Sequence, residues 1–242
     1  MPTKPYLPKN LDNIDWIGPD DYAYAVSGLI HCIQLPQEAD FSNSVPVVVM
    51  VHGWGGNESV TWIFKQSLPD DVAIITPRAP LMVDEGSYVW FRRSQDRPLQ
   101  PEPETHRTAL ALLEKFLASL EELYPIDPKR LLLLGFSQGG AICNNLVMTH
   151  PHLAMGMASL SSFVPPLPLA LSPVDSLSGL PVFIAHGIRD DIVALTEGQR
   201  TRDLYERLGA DVTYGEYEVA HKITTEGLRN LKMWVAEVVT SA

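Results

Sequence analysis

Apolar residues fall along the chain in two alternating patterns. Short unbroken runs rich in β-branched side chains occur at 45–51 (VPVVVMV), 72–76, 131–134, 157–161, 182–186 and 212–217. A run of this kind has no polar face, as expected of a strand covered on both sides in a parallel sheet. Between the runs, apolar residues recur every three or four positions. Across 105–124, Leu110, Leu113, Phe116, Leu117, Leu120 and Leu123 share one face, and Pro125 ends the pattern. Further helices are predicted over 138–150, 196–208 and 224–239. This alternation predicts an α/β fold with a mostly parallel central sheet, right-handed crossovers and helices on both faces. Ligands of such sheets bind beyond the carboxyl ends of the strands.

Three segments depart from the alternation. The stretch 21–35 (DYAYAVSGLIHCIQL) carries aromatic and β-branched residues around a Ser-Gly turn signal, which predicts an antiparallel hairpin at a sheet edge. Segments 79–104 and 164–179 are rich in proline and apolar residues and read as loop excursions over a site. A chain of 242 residues is of a size to form one α/β domain spanning 1–242, with 1–40 as an N-terminal extension and hairpin.

The formal net charge of −11 argues against a nucleic-acid partner, since phosphate binding needs a concentrated basic face. The opening MPTKPYLPKN has lysines with no apolar stretch behind them, and no run approaches the ~18 apolar residues of a membrane span. A cytoplasmic location without membrane insertion is the expectation. Cys32 and Cys143 have no metal-ligand spacing and are expected as buried reduced thiols.

The run Leu131–Leu134 leads directly into Gly135-Phe136-Ser137-Gln138-Gly139. This fits G-x-S-x-G, a sharp turn between a buried strand and a helix that lifts the serine hydroxyl to the top of the sheet. The flanking glycines suit a turn with no room for side chains and a strained backbone at the serine. A serine at such a turn is a nucleophile once a histidine takes its proton and an acid holds that histidine, in the chain order Ser, acid, His.

Four histidines follow Ser137. His150 and His152 have no acid between them and the serine, and His186 is preceded only by Asp175. His221 lies in VAHKIT, in a loop after the last predicted strand, and has carboxylates upstream. In HGIRDDIV, Asp190 and Asp191 both lie just past a strand end, and spacing does not choose between them.

The tetrahedral intermediate of acyl transfer needs hydrogen-bond donors for its oxyanion. One is the backbone N–H of the residue after the nucleophile, Gln138, at a helix start. The second belongs to the loop after an early strand, where HGWGG places the Trp54 amide. The same glycines do not form G-x-G-x-x-G with a suitable acid downstream, which weighs against a dinucleotide cradle.

Together GFSQGG, HGWGG, PRAP, HGxxD and VAHK resemble the phospholipase/carboxylesterase family of α/β-hydrolases, which includes the acyl-protein thioesterases. The resemblance runs from about Val45 to the C-terminus. It implies an α/β-hydrolase fold and a serine esterase acting on carboxylic esters, in some relatives thioesters, with no metal or organic cofactor. It places the triad on Ser137, Asp190 and His221 and the oxyanion amides on Trp54 and Gln138. Family members usually carry leucine at the position of Trp54 and an acid at that of Gly56, and Asp191 takes a position often held by proline. The N-terminal hairpin and the YVWFRR segment depart from the thioesterases. The expected substrates are therefore small-molecule esters with short to medium acyl chains, and Trp54, Tyr88, Trp90, Phe91, Phe163 and Val193 are candidates to line the acyl pocket. Acyl-protein thioesterase, lysophospholipase and non-catalytic binding protein are the alternatives. The oligomeric state, monomer or homodimer, is open.

Overall fold

The computed structural model describes residues 13–36, 45–97, 99–166 and 176–240. Eight strands make the central sheet: β1 (Asp15–Ile17), β2 (His31–Gln34), β3 (Val45–Val51), β4 (Ala73–Pro77), β7 (Ile126–Phe136), β8 (Gly156–Leu160), β9 (Pro181–Gly187) and β10 (Asp211–Tyr217). A separate hairpin of β5 (Leu81–Asp84) and β6 (Ser87–Val89) follows β4. The helices are α1 (Tyr22–Ser27), α2 (Pro103–Leu123), α3 (Gln138–Thr149), α4 (Leu195–Arg207) and α5 (Thr225–Thr240), with a 3-10 helix at Val60–Ser67.

The sheet order is β1-β2-β4-β3-β7-β8-β9-β10. The pairs from β4–β3 through β9–β10 are parallel, and β1 and β2 close one edge antiparallel. The continuous apolar runs have the predicted cause. In β3, Val47, Val49 and Val51 face a core shared with α2, α3 and α4, while Val48 and Met50 face a second core shared with the 3-10 helix and α5. Alternate residues point to opposite faces, and both faces are covered, so no polar position is tolerated. Pro46 sits where the register between β3 and β7 shifts, a place that does not call on its missing N–H.

The antiparallel edge is present, but its strands differ from those expected. Tyr22–Ser27 is a helix, and β2 pairs with β1, not with 21–27. Alanines at 23 and 25 favour helix. The Ser-Gly signal is this helix's terminus, since Gly28 takes φ 80° and its N–H bonds to Tyr24 O. The excursion 79–104 is also more ordered than a loop. It holds the β5–β6 hairpin and an Arg93–Pro101 bridge before α2 begins at Pro103. Most of the second excursion, 167–175 with Asp175, lies outside the described residues, as do 1–12 and 37–40 of the N-terminal extension. Among the described residues no helix is long and apolar enough to cross a membrane, and Cys32 and Cys143 are free and buried.

Candidate active site

Ser137 follows β7 with φ 53° and ψ −119°, a conformation that costs a non-glycine residue of order 1–3 kcal/mol and persists only where the surroundings enforce it. Here they do. The Ser137 N–H donates to Leu160 O at 2.9 Å, while its carbonyl accepts from Ser162 Oγ at 2.7 Å and from the Ala141 N–H at 3.0 Å. The glycines allow the close approach this requires. A Cβ on Gly139 would lie 2.1 Å from Val51 O, and one on Gly135 would lie 2.5 Å from Gly140 Cα. Both obstacles are backbone, so neither is relieved by a side-chain rotation. An apolar run leads straight into a serine because the strand ends at the sheet's upper edge, and α3, buried along nearly its whole length, continues inward beneath it.

The loops after β9 and β10 run alongside one another. Ile188 N–H bonds to Tyr217 O at 2.8 Å and Arg189 N–H to Val219 O at 2.9 Å. Gly187 permits this contact, since a Cβ there would sit 2.2 Å from Ala220 O. The result brings His221 between Asp190 and Ser137. His221 Nδ1 lies 2.7 Å from Asp190 Oδ2, and His221 Nε2 lies 2.9 Å from Ser137 Oγ. The Asp190 side chain is fully buried, and its Oδ1 accepts the N–H groups of Ile192 and Val193 at 3.0 and 2.9 Å. A carboxylate held this way accepts from Nδ1–H, which leaves Nε2 as acceptor for the serine hydroxyl.

The structure separates the two aspartates: Asp190 faces His221, and Asp191 is exposed. It also separates the histidines. His186 is buried, with Nε2 2.8 Å from Val193 O and 3.6 Å from Asp190 Oδ2, so it holds the 190–193 turn. His150 and His152 lie at the far end of α3.

The glycine loop after β3 lies against the serine, with a Cβ on Gly53 falling 3.2 Å from Ser137 Cβ. His52 at its start is fully buried. Its Nε2 accepts the Ala79 N–H at 3.0 Å, which assigns the proton to Nδ1, and Nδ1 donates to Gly53 O at 2.8 Å. Burial drives its pKa down to about 4, against the opposing pull of the Gly53 carbonyl and Glu58. His52 is a neutral structural ring. A second buried device lies behind it. Glu58 pairs through both oxygens with Arg78, accepts Trp16 Nε1–H at 3.0 Å and is fully buried.

A narrow cleft with a free volume of only about 10 Å³, partly open to solvent, contains Ser137 and is lined by Phe91, Arg93, Leu99, Gln138, Phe163, Ile192 and Val193. Of the expected lining residues, Phe91, Phe163 and Val193 are there. Trp90 is not, because its fully buried ring donates Nε1–H to His52 O at 2.9 Å and serves the loop behind the site. Tyr88 is not either, because its ring packs on Arg78 and its main chain pairs with Gly55 and Gly56. Trp54 is 41% exposed and stacks on Arg93. A larger cavity of about 330 Å³, lined by Pro181, Asp211 and Trp234 among others, lies at the opposite, amino ends of β9 and β10, away from the serine.

The sequence reading missed Arg93, His52 as a ring, and the Gln138 side chain. Gln138 Oε1 accepts the Trp90 N–H at 2.9 Å and Nε2 donates to Phe91 O at 2.8 Å. A signal was present for Glu58–Arg78, since an arginine between two prolines at the end of a buried strand requires an acid nearby.

Comparison with known proteins gives the family and the fold. The family model described as phospholipase/carboxylesterase matches residues 38–239. An acyl-protein thioesterase 1 from Debaryomyces hansenii is 27% identical over 233 residues, covering 88% of this chain and 99% of its own. A probable carboxylesterase from Oryza sativa subsp. japonica is 24% identical over 224 residues, covering 84% of this chain and 81% of its own. The crystal structure of the Bacillus cereus carboxylesterase superposes with a TM-score of 0.78 at 24% identity, covering 90% of this chain and 98% of its own.

Proposed function

Because the chain belongs to the phospholipase/carboxylesterase family and is a serine hydrolase of the α/β-hydrolase type, we propose that it hydrolyses carboxylic esters of short to medium acyl chains through an acyl-enzyme formed on Ser137. The observation that carries this reading is the continuous chain Ser137 Oγ, His221, Asp190, with steps of 2.9 and 2.7 Å. These are hydrogen-bonding distances for a nucleophile, its base and the group that orients the base.

In the proposed mechanism, Ser137 Oγ attacks the acyl carbon as His221 Nε2 takes its proton. Asp190 keeps the ring in the Nδ1–H tautomer and stabilises the imidazolium. The backbone N–H groups of Trp54 and Gln138 stabilise the oxyanion, and neither makes a hydrogen bond to another described residue. His221 then gives its proton to the leaving alkoxide, so the alcohol departs and the acyl group stays on Ser137. Water repeats the attack with His221 as base and releases the acid. No cofactor enters any step. The narrowness of the cleft favours short acyl groups, since pockets for larger ligands run to several hundred Å³. The 27% identity to a protein named acyl-protein thioesterase 1 supports thioesters as a second substrate class.

The test is hydrolysis of p-nitrophenyl esters from acetate to palmitate by the wild type and Ser137→Ala, with labelling by a neutral fluorophosphonate. The expected result is activity greatest on the short esters, a loss of up to ~10⁶-fold in the variant, and labelling confined to the wild type. Equal rates in both proteins, or no labelling of the wild type, would exclude the proposal.

A further inference from the structure

Arg93 lines the same cleft as Ser137, and its guanidinium carbon lies 3.9 Å from the centre of the Trp54 ring. Its backbone is pinned. Arg93 forms a bridge with Pro101, and on either side Glu102 N–H bonds to Arg92 O and Ser94 N–H to Gln100 O, each at 2.8 Å. The side chain is half-buried, yet no carboxylate or carbonyl among the described residues accepts from it.

Arg78 shows what this chain does with a buried guanidinium that serves structure, for it is matched to Glu58 through two hydrogen bonds. Arg93 is treated differently. Withdrawal from water lowers its pKa with no acid to offset the cost. In a chain with 29 acidic against 18 basic residues, acids to pair with it are plentiful. An arginine held on an aromatic face keeps its charge oriented while its N–H edge stays available.

We propose that Arg93, stacked on Trp54, is an anion subsite, and that the ester cleaved at Ser137 carries a carboxylate. The inference rests on the esterase reading above and names the substrate class. A carboxylate matches the planar fork of a single guanidinium through two parallel hydrogen bonds. The pairing also ties charge capture to the reaction, because Trp54 supplies both the stacking face and one amide of the proposed oxyanion hole. An acidic substrate anchored at Arg93 presses on the residue whose main chain meets the carbonyl oxygen.

The test compares kcat/KM for matched ester pairs in the wild type, Arg93→Gln and Arg93→Lys. One pair, mono-4-nitrophenyl glutarate and 4-nitrophenyl valerate, places the acid on the acyl side. The other, 3-carboxy-4-nitrophenyl butyrate and 4-nitrophenyl butyrate, places it on the leaving group. The ratio within a pair cancels any general loss of activity. In one of the pairs the acidic-to-neutral ratio is expected to fall roughly 10- to 100-fold in Arg93→Gln, the usual worth of a hydrogen bond to a charged group. Arg93→Lys should retain part of it, and the wild-type ratio in that pair should fall as NaCl is raised. Ratios in both pairs that are unchanged by Arg93→Gln would overturn the subsite and leave the esterase standing. Wild type inactive on all four esters and unlabelled by a neutral fluorophosphonate would remove the esterase reading and the subsite together.

Discussion

The side-chain amide of Gln138 is clamped to the main chain of Trp90, whose N–H it accepts at 2.9 Å, while its other end donates to the carbonyl of Phe91 at 2.8 Å. The residue after the serine therefore holds the segment following β6 that carries Phe91 and Arg93 to the cleft. Gln138→Ala leaves a buried donor and a buried acceptor unpaired, each a cost of about 1–3 kcal/mol. The expected result is a 10- to 100-fold lower kcat/KM on p-nitrophenyl acetate. Gln138→Glu should be at least as damaging, because a carboxylate has no proton to donate to Phe91 O. Wild-type kinetics in Gln138→Ala would show that the clamp does not shape the site.

His52 makes a second prediction. In a trans peptide the carbonyl of one residue and the N–H of the next point in opposite directions. By bonding Gly53 O at 2.8 Å, the ring sets the direction of the Trp54 N–H, and the Ala79 N–H at 3.0 Å keeps the ring from turning. His52→Phe removes both contacts at similar size. If Trp54 is an oxyanion donor, kcat should fall by roughly 100- to 1000-fold, as when one such donor is lost elsewhere, with a smaller change in KM. A kcat within threefold of wild type would separate this ring from the chemistry.

The Glu58–Arg78 pair supports the same loop from behind. Arg78 Nη1 donates to Tyr88 OH at 3.3 Å, and Tyr88 exchanges main-chain bonds with Gly55 and Gly56 at 2.9 Å. Burial opposes the Arg78 charge, and Glu58 outweighs it, holding the pKa above the usual value. Glu58→Gln or Arg78→Met should each cost about 3–5 kcal/mol, because the partner is left as an uncompensated buried charge. The double variant should cost clearly less than the two combined. Urea unfolding of the four proteins measures this, and additivity within about 0.5 kcal/mol would deny the coupling.

Acid should destabilise the protein at milder pH than carboxylate titration alone would bring. His31, His52 and His106 are fully buried, and burial lowers each pKa from 6.5 to about 4. Between those values the unfolded chain binds protons that the folded chain refuses, so unfolding is favoured as pH falls. Stability from these rings is fully present above about 6.5, is lost through the window down to about 4, and amounts to the order of 3 kcal/mol per ring. Urea midpoints should drop steadily across that window. His106→Leu should shallow the slope by about one proton, and a midpoint flat from pH 6.5 to 4.5 would contradict the account.

The strand–helix alternation was legible because covering both faces of a parallel sheet leaves its signature in each segment separately. The observed β3, β9, α3 and α5 begin and end within a residue or two of the runs in the sequence. Ser137 was legible for a similar reason: the glycines its turn demands are neighbours in the chain. Tyr22–Ser27 was misread as strand because six residues carry too little periodicity to tell the two states apart, and their helical state is settled by the glycine that ends them.

What the chain order determined was the cast: a serine at an elbow, an acid and a histidine after later strands, and a glycine loop early on. The partners were decided by tertiary structure. Asp190 and Asp191 are chemically the same residue one peptide apart, and only the turn held by the Ile192 and Val193 amides directs one of them at His221. Arg93 beside Trp54, Gln138 against Trp90 and Arg78 against Glu58 join positions 39, 48 and 20 residues apart. Such contacts leave no local pattern, because a side chain's partner is set by where the backbone brings it and not by what precedes it in the sequence.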